Sequence, residues 1–135
     1  MHSTFVPDGS DAVTQAQLDN PEDLWHLLRE LQPGDGSPPP AVEIVNDDGA
    51  SLVWANTKTG IVLMLAPDDS ASYHAKSGGQ PGVDEDKTVS FTYMGSFTEV
   101  PASCAISEAS ARLVVEAFFC GGSESAFRVA DWESD

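Results

Sequence analysis

Apolar residues recur at helical spacing twice along the chain. In "DNPEDLWHLLRELQPGDG", Leu24, Leu27, Leu28 and Leu31 stand at i, i+3, i+4 and i+7, which places four leucines on one face of a helix. Asn20 suits the N-cap, Pro21 the first helical position, and Glu22 and Asp23 the positive end of the helix dipole. Pro33, Gly34 and Gly36 then stop the pattern, so the helix is predicted over residues 21–32. A second helix is predicted over 107–120, capped by the Ser107 hydroxyl, with Glu108 in its first turn and Ile106 just outside. Its expected buried stripe is Ser110, Leu113, Val114, Ala117 and Phe118. Glu108, Arg112 and Glu116 are expected on the solvent side at i, i+4 and i+8, and Gly121 is the expected stop.

Between the helices the pattern changes to that of strands. "AVEIVNDDGASLVWA" places two β-rich runs around Asn46-Asp47-Asp48-Gly49, residue types that tolerate positive φ, which predicts a hairpin. "IVLMLA", apolar at every position, reads as a central strand covered on both faces. "KTVSFTYMGSF" alternates Val89, Phe91 and Tyr93 with Thr88, Ser90 and Thr92, the pattern of a half-buried antiparallel strand. Shorter strands are predicted at 72–76 and, as an edge, within "STFVPD" and "DAVTQAQL". "AFRVADW" reads as a final strand or extended tail anchored by Trp132 on the core. Pro38-Pro39-Pro40 reads as an extended connector within one domain spanning residues 1–135. The fold class expected is α+β: a mainly antiparallel sheet of about five strands with two helices packed on it in a single layer.

Charge changes this picture more than composition does. Twenty-two Asp and Glu against six Lys and Arg give a formal net charge of −16, which repels phosphate backbones and anionic lipid surfaces. No direct nucleic-acid or membrane partner is therefore expected. The acids fall in small clusters along the chain, Asp47-Asp48, Asp68-Asp69 and Asp84-Glu85-Asp86, consistent with a folded acidic surface. Such a surface can serve solubility alone or steer the protein toward a basic partner. No apolar run approaches the roughly 18 residues of a membrane helix. "MHSTFVPDGSD" shows no basic-then-apolar export pattern, so a cytoplasmic protein is expected. Cys104 and Cys120 are then expected to be two buried thiols, not a disulfide.

Motifs for chemistry are sparse. "GDGSPPP" runs into three prolines and cannot open a phosphate-binding helix. "NDDG" lacks the carboxylates of a calcium loop, since Ile44 lies two positions before Asn46 and the twelfth position falls on Ala55. His2, His26, His74, Cys104 and Cys120 offer no paired zinc spacing. No catalytic residue, metal or cofactor is therefore expected. What remains is a recognition surface. The polar stretch from Pro67 to Lys87 reads as a loop, and Asp68, Asp69, Tyr73, His74, Asp84, Glu85 and Asp86, with Trp54 from the neighbouring strand, are the candidate partner-binding residues.

The C-terminal third, "GSFTEVPASCAISEASARLVVEAFFCGGSESAFRVADWES", resembles the end of the Imm1 family of bacterial immunity proteins. The resemblance rests on Gly95 before the "EVP" step at Glu99–Pro101, on Ile106 and its helix, on the pair Phe118-Phe119, on Gly121 or Gly122, and on Trp132-Glu133. It covers about forty residues. It implies an antitoxin that binds and masks a cognate polymorphic toxin, often a cytosine deaminase acting on DNA, in a 1:1 heterodimer. A compact protein at −16 suits a toxin with a basic nucleic-acid-binding groove. Two alternatives stand beside it: an acidic effector chaperone that leaves the active site untouched, and a thiol-dependent enzyme using Cys104 or Cys120 with His74.

Overall fold

The computed structural model describes residues 2–5, 14–30, 40–57, 60–68, 70–76, 88–93 and 96–134. Their elements run β1 (His2–Phe5), β2 (Thr14–Gln17), α1 (Pro21–Glu30), β3 (Val42–Val45), β4 (Ser51–Asn56), β5 (Ile61–Asp68), β6 (Ala71–Ala75), β7 (Thr88–Tyr93), β8 (Ser96–Pro101), a 3₁₀ turn at Ala102–Cys104, β9 (Ala105–Ile106), α2 (Glu108–Arg128) and β10 (Trp132–Ser134). The class is α+β and mainly antiparallel, as the sequence predicts, but the strands are more numerous. Eight form one sheet in the order β10-β6-β5-β4-β3-β1-β2, with β9 pairing β5 beside β6, and β7 and β8 form a separate hairpin. Among the described residues no helix is long and apolar enough to cross a membrane.

Strand alternation divides the core in two. Val42 and Ile44 of β3, Leu52 and Trp54 of β4, and Ile61, Leu63 and Leu65 of β5 share one face with Leu24, Trp25 and Leu28 of α1 and Ala111, Val114, Val115 and Phe118 of α2. Val53, Ala55 and Val62 point the other way, onto Val89 and Phe91 of the β7–β8 hairpin. The all-apolar run of β5 is thereby explained, because helices cover one of its faces and the hairpin the other. Both helices do lie on one face; the layer on the opposite face is the hairpin. Ala41 N–H ties it down by donating to the Thr92 carbonyl at 2.7 Å.

Local signals act where expected. Asn20 Oδ1 accepts from Asp23 N–H at 3.2 Å, and Ser107 Oγ accepts from Ser110 N–H at 3.2 Å, so both helix starts are capped. The β3–β4 turn is held by Asn46, whose Oδ1 accepts from Asp48 N–H at 3.0 Å and Ala50 N–H at 2.9 Å. Gly49 takes its φ of 86° without the steric penalty a side chain brings.

Three details of α2 correct the sequence reading. The buried stripe is Ala111, Val114, Val115 and Phe118, one residue out of phase with the expected one. Ser110 is exposed, and Leu113 is 57% exposed. The small Ala111 side chain permits close approach, and the rotation lays the Arg112 guanidinium 4.8 Å from the Trp25 ring centroid. The helix does not end at Gly121: it breaks at Gly122 (φ 72°, ψ −158°) and resumes through Arg128. This segment was expected to be extended. It instead brings Phe127 to the sheet edge, where its ring meets Tyr73 at 5.1 Å and Trp132 at 5.8 Å, both edge-on. Trp132 anchors β10 by donating from Nε1 to the Ala126 carbonyl at 3.2 Å.

Candidate partner-binding face

Residues directly opposite one another on neighbouring antiparallel strands share a face. Glu43 pairs with Val53, Val53 with Met64, Met64 with His74, and His74 with Glu133. Five strands thus align one row across the hairpin side of the sheet, with two apolar residues at its centre, His74 beside them and a carboxylate at each end. No local sequence signal joins these residues, since they span ninety positions of chain. The one clue was Glu43, an acid inside the short apolar run "VEIV".

Where the β7–β8 hairpin stops covering the sheet, this row opens into a groove of about 270 Å³. Val53, Met64 and Ala66 line its apolar part, and Ser72, Tyr93, Thr98 and Glu43 supply polar atoms. Tyr93 Oη donates a hydrogen bond to Glu43 Oε2. Burial first, and then the Glu43 hydrogen bond and charge, push the Tyr93 phenol up to about 12. The phenol therefore stays protonated, and a donor, throughout the physiological range.

At the other end of the row, His74 Nε2 lies 3.8 Å from Glu133 Oε2, and Lys76 forms an ion pair with the same carboxylate oxygen. That hydrogen bond, followed by the Glu133 charge, raises the Lys76 ammonium above its ordinary value. Asp68 is exposed at the β5–β6 turn, where Ser70 Oγ and Ser70 N–H donate to its Oδ1 and lower its carboxyl.

The predicted contact set is only partly assembled. Asp68 and His74 belong to the β5–β6 hairpin, and the short strand predicted at 72–76 within the polar stretch is β6, Ala71–Ala75. Tyr73 and His74, adjacent in sequence, point to opposite faces: Tyr73 packs on Phe127 on the helix side, whereas His74 joins the groove row. Trp54 is a correction. It is 1% exposed, stacked edge-on to Trp25 at 5.2 Å, with Nε1 donating to Asn56 Oδ1 at 2.9 Å, and so offers no surface to a partner. Asp69, Asp84, Glu85 and Asp86 lie outside the described residues. Glu43, Met64 and Tyr93 are the groove residues that sequence reading passed over.

Among the described residues, no group of three or more His, Cys, Asp or Glu is arranged to hold a metal ion. Cys104 is buried, while Cys120, expected to be buried too, is exposed beside the break in α2. Three cations are matched with acids: Lys76 with Glu133, Arg112 with Glu108 at 3.2 Å and Arg128 with Glu124 at 2.8 Å. Arg29 is exposed in the last turn of α1.

A family model described as immunity protein Imm1 matches residues 13–125. No curated protein matches the chain. No solved structure matches it.

Proposed function

The chain belongs to the Imm1 family of immunity proteins, and from that premise we propose that it binds a cognate toxin acting on nucleic acid, of the cytosine deaminase class, and occludes its active site in a 1:1 complex. Family membership over most of the chain carries the immunity role. The charge of −16 supports the class of toxin. An enzyme that handles nucleic acid needs a basic groove, and an acidic protein is drawn to such a groove rapidly and competes there with the substrate's phosphates. Occlusion asks no chemistry of the inhibitor.

The hairpin side of the sheet is the contact face in this reading, with His74 in its groove row and Asp68 at its margin. Asp69, Asp84, Glu85 and Asp86 lie outside the described residues and join this reading on their charge alone, and Tyr73, which faces the helix side, joins it as a contact beyond this face. The test is an activity assay with the purified toxin. Turnover should vanish at equimolar protein, and association should slow as salt rises. Full turnover in a saturated complex would remove the occlusion reading. Charge reversal at Asp68-Asp69 and at Asp84-Glu85-Asp86 should weaken the complex at low salt; unchanged affinity would take those acids out of the interface.

A further inference from the structure

Resting on the immunity reading, we infer that the groove between β4, β5 and the β7–β8 hairpin receives an arginine side chain of the toxin, its stem on Val53 and Met64 and its guanidinium on Glu43. Shape and chemistry favour this occupant over an apolar one. The apolar residues Val53 and Met64 sit side by side along the row, which suits a methylene stem. The charged residue at the end of that stem is a carboxylate fixed by Tyr93. A carboxylate offers about four acceptor sites and Tyr93 uses one, leaving room for a bidentate guanidinium.

Tyr93 also orients the site. Its hydroxyl donates to Glu43, so the carboxylate is positioned before any partner arrives, and its ring forms part of the groove wall. Guanidinium groups stack on aromatic faces and are less strongly hydrated than ammonium, which makes arginine the better match than lysine. A half-buried carboxylate in an apolar groove gains more from a cation than an acid in open solvent does, because the local dielectric is lower. This separates Glu43 from the exposed acids that set the net charge: they speed encounter, whereas Glu43 fixes register.

The probe is N-acetyl-arginine methylamide, titrated into the ¹³C-methyl-labelled full chain and followed by NMR, with the neutral citrulline analogue as control. Saturable shifts at the Met64 and Val53 methyls are expected for the arginine compound and not for citrulline, and they should disappear in Glu43→Gln, whose amide oxygen can still accept from Tyr93. In the toxin complex the same substitution should weaken binding about 30-fold or more, mainly through faster dissociation. Equal shifts with citrulline, shifts that survive Glu43→Gln, or none at Met64 and Val53 would overturn the inference. Unchanged toxin affinity in Glu43→Gln, with turnover still abolished, would remove the groove contact and leave the immunity role standing. Failure of the wild-type protein to inhibit would instead remove the reading on which the toxin arm rests.

Discussion

The two faces of the eight-stranded sheet are built from the same alternating strands yet finished differently. On the helix side Trp54, Phe118, Leu24 and Leu63 are fully buried, and α1 and α2 cover them. On the other side, among the described residues, the two-stranded β7–β8 hairpin covers only part of the sheet: it closes over Ala55 and Val62 and gives way to the groove at Tyr93 and Thr98. Two helices bury more apolar surface than one hairpin, so the first face supplies most of the stability. The second is left with a carboxylate and a phenol at its edge.

The contrast is broken most severely on the helix side. Phe118→Ala removes a fully buried ring between α2 and the sheet and is expected to cost about 3–5 kcal/mol, read as a lower denaturant midpoint. A loss below about 1 kcal/mol would mean that α2 contributes little packing. On the hairpin side Tyr93→Phe should cost less, about 1.5–3 kcal/mol, the net worth of a hydrogen bond to a carboxylate.

That second loss should also depend on pH. Folding raises the Tyr93 phenol from 10.0 to about 12, so folding favours its protonated form. The stabilisation is complete below pH 10 and is lost as pH rises through about 12. The stability gap between wild type and Tyr93→Phe should therefore narrow over that window. Lys76, raised by Glu133, weakens both proteins alike there and cancels in the difference. A gap that stays constant from pH 9 to pH 12 would detach the phenol from Glu43. The smallest effect is expected at Leu113→Gln, within about 0.5 kcal/mol, because that leucine lies outside the true stripe; a loss comparable to that of Phe118→Ala would restore the stripe read from sequence.

The Leu113 case illustrates where sequence reading fails. Two stripes, one through Ser110, Leu113 and Ala117 and the other through Ala111 and Val115, share Val114 and Phe118 and are almost equally apolar. Choosing between them needs the surface against which the helix packs, here Trp25 and the sheet. The stop at Gly121 was one residue early for a related reason: either glycine can break a helix, and where the chain must turn to seat Phe127 on Tyr73 selects Gly122. An aromatic beside acids in sequence resembles a recognition residue, but Trp54 alternates with Val53 and Ala55, and the fold places it under α1. Tyr73 and His74 were separable from sequence, since neighbours in a strand face opposite ways.

What the sequence determined by itself is local: the caps of both helices, the Asn46–Gly49 turn and the apolar run of β5. Each is settled by a few adjacent residues, whose backbone preferences and side-chain hydrogen bonds need no distant partner. The groove is of the other kind. Glu43, Val53, Met64, His74 and Glu133 become neighbours only through the register of five strands, and Tyr93 reaches Glu43 across fifty residues of chain. Register is set by turns, a bulge between Leu65 and Asp68, and the burial of whole faces together. It belongs to the folded molecule and to no single segment of it.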